Sequence, residues 1–237
     1  MQERGARSGD RGSKRAGTFV VFDGAEGVGK STQIRRVAER LTSSGAQCLT
    51  VREPGGTPVG DDIRGIVLHS SHDLAPATEA LLFIASRAQH VDRVIAPALA
   101  RGSVVLCDRF FLATYAYQVA GRGLDEADVH AANRLATGDL VPDLTLIFDL
   151  PVEEGLERAM SRSGHDRLER NERDFHARVR DAFRRFATAK WQKEHPAAGR
   201  IVLIDASGSE EDVERRVLDA LAKHVPQTFR ALAASHY

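Results

Sequence analysis

Cysteine is scarce in this chain: only Cys48 and Cys107 occur among 237 residues. Each lies inside an apolar, strand-like run, so two buried thiols in a reducing cytoplasm are expected and a disulfide scaffold is excluded. Long apolar runs are missing as well. None approaches the roughly 20 residues of a membrane-spanning helix, so no membrane association is expected. Net charge is absent: 33 basic residues balance 33 acidic ones, and such a chain advertises no nucleic-acid surface. The stretch MQERGARSGDRGSKRAG lacks the apolar core of a secretory signal, and its acidic residues argue against a transit peptide. Residues 1–16 read instead as a basic, Gly/Ser-rich arm, expected to be disordered. There is no internal repeat, and the length suits one α/β domain better than two.

What is present is alternation. Apolar, β-rich runs appear at about 17–23, 46–51, 103–107, 144–149 and 201–205. Helical patterns fall at 29–43, 58–68, 77–101, 111–119, 125–138, 152–160, 173–193 and 209–223. Strands alternating with helices predict an α/β fold, a parallel sheet covered on both faces. Runs such as TLIFDL and IVLID are apolar almost throughout, as strands buried on both sides must be. The domain is expected to span 17–225, with 226–237 a tail that has no clear role in the core. Ligands of such sheets bind beyond the carboxyl ends of the strands, so the segments that follow strands carry the chemistry.

The first of these segments is GAEGVGKS, residues 24–31, which fits the phosphate-loop pattern G-x-x-x-x-G-K-[ST] at every fixed position. Its glycines let backbone N–H groups turn inward onto phosphate oxygens, and the following helix points its positive end at the anion. The nucleotide cradle is therefore expected to comprise Gly24, Ala25, Glu26, Gly27, Val28, Gly29, Lys30, Ser31 and Thr32. Lys30 is expected at the β- and γ-phosphates and Ser31 at a magnesium ion. In REPGGTPVGDDIR, residues 52–64, Glu53 ends the second strand close to the expected magnesium position. Arg64, about two helical turns on, can point back at a phosphate, although this stretch alone reads equally well as a solvated turn with a surface arginine. In FIASRAQH, residues 83–90, Phe83 and Arg87 share a helix face. They can stack on a base and grip its phosphate, but without context a core phenylalanine and an exposed arginine is the simpler reading. In VVLCDRFFLATYAYQ, residues 104–118, Asp108 ends the third strand and can hold magnesium through water. Arg109 beside it can bind an acceptor phosphate bidentately. Finally, Arg158, Arg162, Arg167, Arg170 and Arg173 crowd a segment broken by Ser163-Gly164. That composition suits a mobile lid, at about 161–172, delivering guanidinium groups to a transferring phosphoryl group. Interspersed acidic residues also permit an ordinary solvated helix pair.

Together these motifs resemble the thymidylate kinases, members of the nucleoside-monophosphate kinase group. The resemblance spans about 17–223 and rests on FDGAEGVGKST, REPGGTPVGDDIR, SRAQHV, LCDRFFLATYAYQ, GRGL, PDLTLIFDLP, and DRLE followed by FHARV. It implies a five-stranded parallel sheet in the order 2-3-1-4-5, a homodimer, and phosphorylation of thymidine 5′-monophosphate by ATP with magnesium. It further implies that Glu26 contacts the sugar 3′-hydroxyl, that Phe83 stacks on thymine and that Arg87 reads the base. Arg64 and Arg109 would hold the acceptor phosphate, while Tyr117 and Gln118, with Glu53 and Thr114, would complete the acceptor site. Ser31 and Asp108 would be the metal ligands. Some family members carry a basic residue in the loop where this chain has Gly27; the other arrangement supplies catalytic arginines from the lid, which fits Arg162 and Arg167. Two departures touch the acceptor pocket: Phe110 stands where the family usually has Tyr after Asp-Arg, and Val119 follows Gln118 where Gly is frequent. Rival readings are a kinase for another monophosphate, a GTP-dependent switch and a nucleotide binder without catalysis. No N-K-x-D or suitably placed D-x-x-G motif supports the switch.

Overall fold

The five apolar runs become the strands β1 (Thr18–Gly24), β2 (Cys48–Arg52), β3 (Val104–Asp108), β4 (Leu144–Asp149) and β5 (Ile201–Asp205). They pair in parallel in the order β2-β3-β1-β4-β5, as expected. The computed structural model describes residues 16–161 and 173–233. Helices α1 (Lys30–Ser43), α2 (Pro58–His69), α3 (Pro76–His90), α4 (Ala96–Ala100), α5 (Phe111–Thr114) and α6 (Glu126–Thr137) lie between β1 and β4. After β4 come α7 (Val152–Met160), α8 (Arg173–Phe186) and α9 (Ala189–Glu194), and after β5 come α10 (Glu210–His224) and α11 (Pro226–Ala233).

Burial follows the sheet order. The inner strands β1, β3 and β4 are buried almost throughout, whereas the edge strands β2 and β5 are only partly so. Side chains of β1 alternate across the sheet, as strand geometry requires. Val20 and Phe22 join Ile34, Val37 and Leu41 of α1 with Val217 and Leu221 of α10. Phe19 and Val21 face Ile95, Leu99 and Phe110 on the other side. Cys107 is buried, but Cys48, on the edge strand, is only half-buried.

Four expectations about the helices and the tail change, the first being the predicted helix 111–119, which is α5 followed by a π turn (Tyr115–Gly121). The predicted helix 77–101 is three contiguous pieces, α3, a π turn (Val91–Ile95) and α4. Pro97 has no N–H to donate back to residue 93, and the ladder widens just before it. The predicted helix 173–193 divides in two, because Thr188 caps a fresh start by accepting from the Trp191 N–H at 3.3 Å. The stretch after Pro226 is not an idle tail. Pro226 opens α11, and Val225, Phe229 and Leu232 recur at helical spacing and enter the same core as Val20 and Phe22. Thr228 also shares a 2.7 Å hydrogen bond with Thr18. Truncating the fully buried Phe229 to alanine is expected to cost about 3–5 kcal/mol of stability. Urea unfolding checks this, and an unchanged midpoint would mean that α11 is dispensable.

Candidate active site

The loop between β1 and α1 is drawn tight by backbone geometry. Gly24, Gly27 and Gly29 all have positive φ, a conformation that side chains resist. Gly27 is also crowded: a Cβ there would lie 1.8 Å from the carbonyl oxygen of Gly155 in α7. A Cβ on Gly155 would in turn lie 2.7 Å from the Glu26 carbonyl oxygen, so loop and helix cross backbone to backbone. Inside the loop the Lys30 ammonium donates to the carbonyls of Ala25 (2.7 Å) and Gly24 (3.2 Å). Burial pushes its pKa down to about 8, and Arg109 acts in the same direction, against Asp108, Glu26 and Asp23.

At the start of α1 the Ser31 hydroxyl donates to Asp108 Oδ2 at 2.7 Å. Asp108 ends β3, the neighbour of β1, so the sheet register brings these two hard oxygen donors together. Magnesium takes one or two protein oxygens and completes its octahedron with water and phosphate. This pair fits that requirement.

Behind the loop stands a buried charge cluster. Arg109, itself held at φ 69°, donates to the Gly24 carbonyl at 2.9 Å. It lies 3.7 Å from Asp23 and 3.5 Å from Glu26, and 4.9 Å from the centre of the Tyr117 ring. Glu26 accepts a hydrogen bond from the Tyr117 hydroxyl, and its other oxygen lies 3.4 Å from His176 Nδ1. Burial raises the Glu26 pKa, but His176, Arg109, Tyr117 and Lys30 together outweigh it and hold the carboxyl at about 2. Asp23 has weaker compensation: burial lifts it to about 6 despite Arg109 and Lys30. One carboxylate here is firmly ionised, and the other titrates near neutrality.

A second buried cluster surrounds Arg87, which is only 2% exposed. Its guanidinium donates to Glu53 (2.7 Å), Thr114 (2.9 Å), Asn133 (2.6 Å) and the Phe110 carbonyl (3.1 Å). Glu53 does not lie ready for a metal: its carboxylate is engaged by Arg87 and, at 3.6 Å, by His90. Phe83 is half-buried beside Val67 and Leu68 of α2. Arg64 donates to the Pro54 carbonyl at 2.9 Å. Gln118 donates to the fully buried Glu79 at 2.9 Å.

Comparison with known proteins adds the decisive observation. The family model described as thymidylate kinase matches residues 22–217. This chain belongs to the thymidylate kinase family. A thymidylate kinase of Synechococcus sp. (strain JA-2-3B'a(2-13)) is 47% identical over 208 residues, covering 88% of this chain and 96% of its own. One from Geobacter sulfurreducens is 44% identical over 218 residues, with 89% and 99% covered. Among solved structures, thymidylate kinase from Ehrlichia chaffeensis matches with a TM-score of 0.68 at 30% identity, over 86% of this chain and 98% of that one.

Within this thymidylate kinase fold two groups of the predicted residues come together, whereas Phe83 packs on α2, Arg64 bonds the Pro54 carbonyl and Gln118 bonds Glu79. Glu26, Lys30, Arg109 and Tyr117 meet around the loop, and Glu53, Arg87 and Thr114 meet beside it. Arg162 and Arg167 lie outside the described residues, as does all of the expected lid beyond Ser161. Sequence reasoning passed over Asp23, Glu79, Asn133 and His176. Asp23 had a visible signal, a carboxylate at the end of an apolar strand. His176 stands in the FHARV motif, and the pairing with Glu26 is what gives it meaning.

Asp23 yields a pH prediction. Its folded pKa is raised, so its contribution to stability is complete below the unfolded value near 3.8 and is lost as pH rises through about 6. Asp23→Asn keeps the oxygen that accepts from the Gly24 N–H and removes the titration. The variant is expected to exceed the parent protein in stability by roughly 1–3 kcal/mol at pH 8, with the difference vanishing near pH 4. Urea unfolding at several pH values checks this, and a gap independent of pH would count against it.

Proposed function

We propose that this protein is a thymidylate kinase in activity as well as family, transferring the γ-phosphoryl group of ATP to thymidine 5′-monophosphate. The products are ADP and thymidine 5′-diphosphate, a step in dTTP synthesis. The observation that carries this reading is the Glu26 carboxylate: a phosphate-loop residue that turns away from the loop to meet Tyr117, Arg109 and His176. One loop thereby addresses donor and acceptor together.

Phosphoryl transfer requires in-line positioning and neutralisation of spreading negative charge more than covalent help from the protein. Loop N–H groups from Gly24 to Thr32 cradle the donor phosphates. Lys30 exchanges its bonds to the Gly24 and Ala25 carbonyls for phosphate oxygens. Ser31 and Asp108 hold magnesium, which supplies charge neutralisation at the donor phosphates when bound. Glu26, kept ionised, accepts from the sugar 3′-hydroxyl. Phe83 stacks on thymine, Arg87 reads it, and Thr114, Tyr117 and Gln118 line the pocket. Glu53 serves that pocket by carrying the charge of Arg87. Arg64 and Arg109 hold the acceptor phosphate, and Arg162 and Arg167 reach the transferring group from the lid at 161–172.

The reading extends to a homodimer acting in the cytoplasm, with 1–16 as a basic arm and a kinase domain that begins at 17 and includes α11, whose Phe229 and Leu232 share its core. Val59 and Ile66 of α2 and Leu81 of α3 are exposed apolar side chains on two helices packed together, which supports a contact with a second copy. No helix among the described residues is long and apolar enough to cross a membrane.

The test is kcat/KM for thymidylate, deoxyuridylate, uridylate and guanylate at fixed ATP and magnesium. Thymidylate is expected to lead, with deoxyuridylate lower by about 10–200-fold for its missing methyl group, and guanylate far behind. A preference for uridylate or guanylate would overturn the assignment. Lys30→Ala is expected to leave a folded protein with turnover reduced at least 100-fold, as for loss of a transition-state charge partner. Arg162→Ala and Arg167→Ala are expected to lower kcat with little change in thymidylate KM, the signature of a contact made in the transition state. Full kcat in both variants would remove the lid arginines from the mechanism.

A further inference from the structure

A guanidinium has five N–H groups and no acceptor. Four of those on Arg87 are committed: Nε to Glu53, Nη1 to both Thr114 and Asn133, and Nη2 to the Phe110 carbonyl. The remaining N–H, on Nη2, has no hydrogen-bond partner among the described residues. A lone donor selects a ligand only if it cannot swing away, so the atoms that fix the guanidinium plane matter as much as the donor itself.

Glu53, Thr114 and Phe110 belong to motifs recognisable beside the strands. Asn133 does not. It comes from α6, is 4% exposed, and makes the shortest of the four bonds at 2.6 Å. Because arginine only donates, the amide must turn its oxygen to Arg87. That orientation leaves Nδ2 buried without a partner, an arrangement that costs stability. An apolar side chain of the same size would avoid that cost, so packing alone gives no reason for an amide here.

We infer that Asn133 is a positioning residue for acceptor selection: it locks the Arg87 guanidinium so that the free N–H meets a carbonyl of the pyrimidine base. This inference rests on the proposed thymidylate kinase activity. Asn133 itself touches no substrate. It acts through Arg87, together with Thr114 on the same nitrogen, and its loss leaves Nη1 with one anchor.

The experiment is steady-state kinetics, with thymidylate and ATP each varied, on the parent protein and on Asn133→Ala, Asn133→Leu, Asn133→Asp, Arg87→Ala and the double variant Arg87→Ala/Asn133→Ala. Loss of a hydrogen bond to a charged group is expected to raise thymidylate KM about tenfold or more in Asn133→Ala and in the near-isosteric Asn133→Leu. The ATP KM and kcat are expected to stay within about twofold, since neither reports on base reading. Asn133→Asp, which keeps an oxygen facing Arg87, is expected to recover thymidylate KM to within about threefold of the parent. Adding Asn133→Ala to Arg87→Ala is expected to change nothing further, because the two act as one unit. An unchanged thymidylate KM in a folded Asn133→Ala or Asn133→Leu protein overturns the inference, as does an equal loss on the Arg87→Ala background. Failure of Asn133→Asp to recover KM overturns it as well, and that variant decides the matter if the other two do not fold. A parent protein that does not phosphorylate thymidylate overturns the proposed activity instead, so the two failures are distinct.

Discussion

Arg109 sits where the backbone of β3 leaves the sheet, and much of the loop depends on its charge. Two carboxylates, Asp23 and Glu26, lie within 3.7 Å and 3.5 Å of its nitrogens, and Lys30 is close enough to feel it. Taken out of water singly, each of these charges would be costly. Assembled around one guanidinium they neutralise one another, and the bond to the Gly24 carbonyl fixes the entry to the loop. The price is a left-handed backbone at a non-glycine residue, the kind of strain that surrounding structure must hold in place. Here the holding is visible: the Arg109 N–H donates to the Phe22 carbonyl at 2.9 Å, and the Tyr117 ring lies against the guanidinium.

The two buried clusters divide the work by chemistry. Around Arg109 the groups are ionised or titrate near neutrality, and they surround a loop built for phosphate. Around Arg87 the partners are one carboxylate, a hydroxyl, an amide and a carbonyl, a mixed set suited to fixing direction more than to balancing charge. Both clusters hang from β3: Asp108 ends it, Arg109 follows, and the Phe110 carbonyl and Thr114 come shortly after.

The sheet was legible because burial on both faces forces apolar runs, and runs such as TLIFDL have no other stable use in a chain without a membrane span. The loop was legible because its chemistry needs fixed residues at fixed spacing. What could not be read were pairings across sequence. His176 meets Glu26 from 150 positions away, and Asn133 meets Arg87 from another helix. No local period encodes such a meeting. Arg87, which the isolated stretch FIASRAQH reads most simply as exposed, is among the most buried side chains of the protein for the same reason. Its partners arrive from three separate segments, and without them burial would be prohibitive. α11 was misread because about two turns of apolar spacing after a proline are too short to tell a docked helix from a tail.

The backbone crossing at Gly27 and Gly155 restricts how this chain can be re-engineered. A basic side chain cannot be transplanted into the loop at position 27 while α7 stays where it is, since even a methyl group would collide with the Gly155 carbonyl. The helix that blocks it, α7, carries Arg158, the first of the closely spaced arginines in the sequence. Placing positive charge in the loop at position 27 is therefore not a matter of a single exchange. A side chain at position 27 meets a steric penalty before it gains anything, so such an exchange requires coordinated changes in loop and helix.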